Sequence, residues 1–419
     1  MMKKCFWLWL LMLPLLPLQA DDFERAQRVL VQVRQGQGDS LVAQFHPAIR
    51  EALPAEAVSQ LWQQLEQERG ALLRQGPWRA ERRDTLLLEQ CHLYFEKDSL
   101  TFSLLTDSCR YIVGFHFTPL LVPVEYAPEK VQAEVDYEER DTLVVNGRYR
   151  LPATICQPVR QRDSLWPVLV FVHDVGPVDR DGTLGPNKPF RETARRLAAS
   201  GIASLRYDKR SFVYGARTNE WNGVTTYDTE VVDDALRALE CAARLPGVDS
   251  LRVYVAGHSL GGMLAPRIAM LSRVPVAGLI ALAGAARPLQ ELLQAQMRYM
   301  ATVQGGTMAE ADSLSNFLYT RMSEPYRAFA AAYNPVGTAR GLRMPMLFLQ
   351  GGHDYQVTRA DFQLWQRGLE GREGVRFVWL EECDHLFRET PRMAVPEDYM
   401  QPGNVSDRVL RAIISFVGL

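Results

Sequence analysis

Leu251-Arg-Val-Tyr-Val255-Ala-Gly257-His258-Ser259-Leu260-Gly261-Gly262-Met263-Leu264 runs from an apolar stretch through a glycine-flanked serine into a helical pattern. This is the strand–turn–helix context of a nucleophile elbow. It forces the serine onto a tight, strained turn and lifts its hydroxyl clear of the sheet edge. Side chains in place of the flanking glycines would collide with the neighbouring strand and helix. The pentapeptide alone is weak; its setting gives it weight.

The surrounding chain has the grammar of a sheet covered on both faces. Val168-Leu-Val-Phe-Val172 is a continuous apolar strand. A helix over Arg191–Ala199 ends at Gly201, a left-handed cap position, and a strand over Ile202–Arg206 follows. Helices are predicted over Asp233–Ala243, Met263–Leu271 and Asp407–Phe416. Further strands are predicted over Leu251–Val255, Val276–Leu282, Met346–Leu349 and Val375–Leu380. Such alternation predicts an α/β fold with a largely parallel sheet. Between about Arg287 and Tyr333 the pattern is helical without a strand. Inserted there, it reads as a lid over the carboxyl ends of the strands, where such sheets bind ligands.

Residues 21–120 form a separate, small α+β module in this reading. Helices are expected over Phe23–Val33 and Ala55–Leu73, and strands over Asp84–Phe95, Leu100–Leu105 and Arg110–Phe117. Pro119, Pro123 and Pro128 mark the linker to the second domain, residues 121–419.

A serine hydroxyl is a weak nucleophile and needs a base that a third group orients. On sheets of this kind the order is Ser, then Asp or Glu, then His. Only His353 and His385 follow Ser259. Leu347-Phe-Leu-Gln-Gly-Gly-His-Asp354 is a strand entering a glycine turn, which leaves Asp354 at a strand end. Val378-Trp-Leu-Glu-Glu-Cys-Asp-His385 is a strand followed by a loop able to carry an imidazole back to the serine. Ser259, Asp354 and His385 are therefore the candidate catalytic residues. His353, adjacent to the acid, reads as a turn residue; Asp384, Glu381 and Glu382 read as capping or solvent-facing groups. The oxyanion donors expected are the N–H of Leu260 and, because Pro177 has none, that of Val175 in His173-Asp174-Val175-Gly176-Pro177. His173 reads as a loop-fixing hydrogen-bond partner.

Gly176-Pro177 with Asp179-Arg180-Asp181-Gly182, Pro186-Asn187-Lys188-Pro189-Phe190, Arg206-Tyr207-Asp208-Lys209-Arg210 and Gly257–Gly262 resemble the bacterial secreted α/β-hydrolase esterases. The similarity spans roughly Val131–Leu419, and the preceding module resembles the α+β domain found before some of these hydrolases. It implies an α/β-hydrolase fold and a serine hydrolase acting on small-molecule or carbohydrate-linked carboxylic esters. A serine peptidase or acyltransferase would use the same groups, and a non-catalytic binding protein on the same scaffold is the remaining alternative. The chain departs from the family at Asp174, where His-Gly is usual. A carboxylate aimed at the oxyanion would oppose the developing charge, so Asp174 is expected to point away, or else Val175 is the wrong donor. Ser211-Phe212 is a second departure. Asp208-Lys209-Arg210 reads as an internal ion-pair arrangement.

The 419 residues are 47% apolar and 23% charged with a formal net charge of −2, which argues against a general nucleic-acid or anionic-membrane binder. Lys3-Lys4, the apolar Phe6–Leu18 and Leu18-Gln19-Ala20 read as a cleavable leader at residues 1–20. The expected location is therefore secreted or periplasmic, without stable membrane insertion. In that oxidising setting Cys91 and Cys109 are the candidate disulfide, and Cys156, Cys241 and Cys383 read as buried apolar residues. Asp179-Arg-Asp181-Gly182 lacks the preceding acid of a calcium loop, and no Cys/His spacing suggests zinc, so no metal or organic cofactor is expected. The N-terminal module is the candidate surface for a homodimer.

Overall fold

The computed structural model describes residues 23–50, 55–83, 86–96, 99–119, 136–159, 165–215, 218 and 224–418. The leader segment and the linker prolines Pro123 and Pro128 lie outside these residues. The chain divides into two compact units between Glu125 and Tyr126.

In the N-terminal unit, Ala26, Val29, Leu30 and Val33 form one buried stripe of the helix Glu24–Arg34. Their spacing puts them on a single face. With Trp62 of the helix Ala55–Arg69 they pack on Phe102 and Leu104 of an antiparallel sheet. Its strands are β1 (Leu72–Gln75), β2 (Arg79–Arg83), β3 (Leu86–Phe95), β4 (Ser99–Asp107) and β5 (Ile112–Pro119), ordered β1-β3-β4-β5 with β2 also on β3. The second helix stops at Arg69 rather than Leu73. Gly70 turns the chain at φ +79°, and Leu72 already pairs with Phe95. The unexpected β2, Arg-Ala-Glu-Arg-Arg, carries no apolar alternation that would announce a strand.

The expected Cys91–Cys109 disulfide does not form; both thiols are free. Leu86 pairs with Asp107, so Cys109 lies beyond the end of β3 that is five positions (86 to 91) from Cys91. At ~3.4 Å per strand residue that is roughly 17 Å, outside a disulfide's reach. Cys156 and Cys383 are buried as expected, and Cys241 is half-buried.

The second unit is an eight-stranded sheet. Its strands are β6 (Tyr137–Asn146), β7 (Tyr149–Pro158), β8 (Trp166–Val172), β9 (Ala203–Tyr207), β10 (Val248–His258), β11 (Gly278–Leu282), β12 (Met346–Gly351) and β13 (Val375–Leu380). Their order is β13-β12-β11-β10-β8-β9-β7-β6, with the run β9 to β13 parallel and β6 and β7 antiparallel. Every residue of β8, β11 and β12 is buried. Alternate side chains serve opposite faces. Val168, Val170, Val172, Val253 and Val255 enter one core; Leu169, Phe171, Tyr254 and Ala256 enter the other.

The apolar pattern predicts no strand between the linker and Val168. The structure adds the β6–β7 hairpin, closed at Asn146-Gly147, and a helix over Arg359–Gly368. The interval expected to be a lid contains three helices, Leu289–Gln304, Met308–Arg321 and Glu324–Ala332. It reaches the strand ends: Met300 packs with Tyr355 and Leu386, and Tyr326 meets Tyr227 edge-on at 4.8 Å. No helix among the described residues is long and apolar enough to cross a membrane.

Candidate active site

Strand β10 ends at His258, and the helix Leu260–Leu271 begins immediately after Ser259. Ser259 has φ +52° and ψ −111°, a conformation that costs a side-chain-bearing residue free energy and persists only when its surroundings fix it. Its N–H donates to Leu282 O at 2.8 Å, and its carbonyl accepts from Met263 N at 2.9 Å. Gly261 is required because a Cβ there would lie 2.3 Å from Val172 O. Leu260 is the first residue of that helix, so its N–H has no intrahelical acceptor.

Asp354 and His385 come together from the ends of β12 and β13. His385 Nδ1 lies 2.7 Å from Asp354 Oδ2, and both side chains are buried. The remaining lone pairs of Asp354 accept from Gln356 N (2.8 Å), Val357 N (3.0 Å) and Gln350 Nε2 (3.0 Å). Gln350, also bonded to Val357 O, carries a positioning role that the apolar look of β12 conceals. Gly351 allows the two loops to approach: a Cβ there would lie 2.3 Å from Cys383 O.

The loop beyond β13 is pinned by Asp384, which is buried rather than solvent-facing. It accepts from Leu386 N and Arg388 N, each at 2.9 Å, and from Arg388 Nε and Nη2 at 2.9 and 2.7 Å. Replacing Asp384 by alanine strands the Arg388 guanidinium in a buried site. A loss of about 3–5 kcal/mol is expected, read as a lower urea midpoint with unchanged slope. A variant as stable as the parent would remove this role. His258, inside the elbow, has a role its sequence position does not announce: its Nε2 donates to the His385 carbonyl at 2.8 Å. Burial pulls its imidazole down to about 4, so it holds the loop as a neutral donor.

The other residues lie largely where expected. His353 is a turn residue whose Nδ1 meets Thr390 O at 2.8 Å, and Glu381 and Glu382 are exposed. His173 is buried against Tyr207, and burial brings it down to about 3. Asp208, Lys209 and Arg210 form ion pairs with Arg180 (3.1 Å), Glu230 (2.7 Å) and Asp234 (2.6 Å).

The loop after β8 departs from expectation. Asp174 does not point away. Its Oδ1 accepts from Val175 N at 2.5 Å, the Ser259 side chain favours its ionised form, and its Oδ2 lies 3.6 Å from His385 Nε2. The last is an ion-pair distance; among the described residues His385 Nε2 makes no hydrogen bond. The Val175 amide expected to be an oxyanion donor is therefore engaged by its neighbour, and its side chain is exposed. The physical reason is the donor set: a carboxylate at this strand end finds a hydroxyl, an imidazole and an amide within reach.

These contacts set the charge. Burial opposes an imidazolium at His385, but Asp354 and Asp174 outweigh it and raise the group to about 10. Burial likewise opposes the Asp174 carboxylate, yet His385, His258 and Ser259 hold it well below the usual range. Among the described residues, Asp174, His258 and His385 have donor atoms within 4.8 Å of one another, a spacing that metal ligands also show. That proximity accompanies the polar contacts above.

An open sheet of this strand order, with a serine on a strained elbow between β10 and its following helix, defines an α/β-hydrolase, and the chain belongs to the alpha/beta hydrolase family. The model of that family matches residues 169–396. The chain is 34% identical over 334 residues to Esterase EstD of Thermotoga maritima, covering 77% of this chain and 77% of that protein. Among solved structures, an esterase from Pyrobaculum calidifontis is 17% identical with a TM-score of 0.47, covering 67% of this chain and 85% of that one. A puromycin-hydrolyzing peptidase of Mycobacterium tuberculosis is 17% identical with a TM-score of 0.48, covering 81% and 48%.

Proposed function

We propose that the protein hydrolyses carboxylic esters through an acyl-enzyme on Ser259. The observation that carries this is the Asp354–His385 pair, 2.7 Å apart and delivered by two later strand ends, taken together with a serine held at φ +52° at the end of β10. In this reading Ser259 Oγ attacks the ester carbonyl and His385 Nε2 takes its proton. Asp354 keeps the other ring nitrogen protonated and stabilises the imidazolium. The Leu260 N–H donates to the tetrahedral oxyanion. His385 then gives its proton to the leaving alcohol, and water repeats the sequence on the acyl-enzyme. The ester class follows from the likeness to Esterase EstD. The leader-like first twenty residues make export part of the proposal.

A fluorophosphonate probe is expected to label Ser259, identified by peptide mass mapping. Nitrophenyl esters of short acyl chains are expected to be turned over faster than fluorogenic peptides. Peptide cleavage exceeding ester cleavage would convert the reading to a peptidase, and absence of labelling would overturn it.

A further inference from the structure

Resting on the ester-hydrolase reading, we propose that Asp174 is a specificity-determining residue that selects acyl groups carrying an ammonium on the carbon next to the scissile carbonyl. Its carboxylate occupies the centre of the reacting groups. Around it stand the Ser259 side chain, which favours its ionised form, the Val175 amide at 2.5 Å and His385 Nε2 at 3.6 Å. Those are the nucleophile, an amide beside the reacting carbonyl and the general base. An acyl group enters only by taking over these contacts.

The neighbouring charges decide which acyl group can do so. Asp354 is fully buried and matched by His385. Lys209 is committed to Glu230 at 2.7 Å and to the backbone carbonyl of Asp174 at 3.0 Å. The Asp174 side chain is 24% exposed, and among the described residues the cation at ion-pair distance from it is the His385 imidazolium. A general base must be neutral, however, before it can accept the serine proton. Neutral His385 leaves Asp174 ionised with no cation at ion-pair distance from its carboxylate among the described residues. A neutral acyl chain makes this worse by stripping away water. An ammonium one carbon from the carbonyl replaces the imidazolium as counter-ion and lets His385 release its proton to bulk water. An anionic acyl group is repelled. The substrate thus supplies the charge that the resting site takes from its own base.

The pH dependence follows with a definite sign. His385 is faced by Asp354 at Nδ1, by Asp174 at Nε2 and by the neutral His258 ring at 4.6 Å, and it is held at about 10. With neutral esters, kcat/KM reports this free-protein group. Its acid limb therefore lies on the alkaline side of pH 7 and moves to lower pH when Asp174 loses its charge.

The test compares esters of L-alanine and isobutyric acid with one common alcohol, which differ by an ammonium in place of a methyl. They are assayed at pH 6.5 on the full-length protein and on Asp174→Asn. The wild type is expected to favour the alaninate at least tenfold in kcat/KM. Asp174→Asn is expected to bring the ratio within twofold, to raise isobutyrate turnover, and to shift its acid limb to lower pH. Equal turnover of the two esters by the wild type, or an undiminished preference in Asp174→Asn, would overturn the proposal. Calorimetry with alaninamide against isobutyramide reads the same preference without turnover. Loss of the amine preference there defeats this inference alone, whereas preferential amine binding without ester turnover or probe labelling upholds the Asp174 site and defeats the hydrolase reading.

Discussion

Ser259→Ala is expected to lower kcat for ester hydrolysis by about 10⁶-fold, the scale seen when a serine hydrolase loses its nucleophile. The substitution removes one oxygen and leaves the rest of the elbow in place. Alanine carries the same Cβ, so the strained φ of +52° is neither relieved nor made worse. The backbone bonds from Ser259 N to Leu282 O and from Met263 N to Ser259 O are unaffected in kind. Asp174 loses the favourable influence of the serine hydroxyl on its charge, but its carboxylate keeps the Val175 amide as a donor. A folded protein with an unchanged urea midpoint, to within ~1 kcal/mol, and no probe labelling is the expected result. Turnover above one percent of wild type would sink the assignment, since the residual catalysis of binding and oxyanion contacts is far smaller.

Asp354→Asn is expected to cost about 10⁴-fold in kcat while leaving the protein folded. Asparagine can keep its oxygen on the Gln356 and Val357 amides, preserving that turn. Its NH₂ then occupies the position that accepts from His385 Nδ1 and Gln350 Nε2, placing donors against donors. His385 must shift its proton to Nε2, where it can no longer accept from Ser259. A kcat within tenfold of wild type would show that another group orients the imidazole.

The same variant has a signed stability signature. Although burial opposes it, His385 is raised from 6.5 to about 10 by Asp354 and Asp174, so its native protonation stabilises the fold. That contribution is fully present below about pH 6.5 and is lost as the pH rises through about 10. Removing the Asp354 charge removes part of it. The stability deficit of Asp354→Asn should therefore be largest near pH 6 and shrink toward pH 10 in urea titrations. A deficit that grows with pH would contradict the charge assignment.

Much of this molecule is legible from short stretches. Gly257-His-Ser-Leu-Gly261 at a strand end specifies its own turn, because only glycine fits against Val172 at Gly261. Val168–Val172 and Met346–Leu349 are read as buried strands because a sheet covered on both faces demands continuous apolar runs. Asp354 and His385 follow from chain order, and they meet at 2.7 Å. The β6–β7 hairpin is harder to read. Half of Tyr137–Asn146 is exposed, with Val144 its one fully buried residue and Tyr137 partly buried against the core, so the pattern of a covered strand is missing. The Cys91–Cys109 pairing fails because register, which composition does not carry, sets Cys109 past the far end of β3.

Asp174 marks the limit. Residue order is enough to establish that a carboxylate replaces glycine beside the oxyanion loop, that Ser259 sits on an elbow, and that an acid and an imidazole follow in turn. These are local properties, set by sterics within a few residues. Where the carboxylate goes is a matter of long-range packing. Asp174, Ser259 and His385 leave the ends of three different strands, β8, β10 and β13, and their distances depend on strand order and stagger across the sheet. That stagger brings an anion to the serine and within 3.6 Å of the imidazole, so the charge of the site is settled by the fold as a whole.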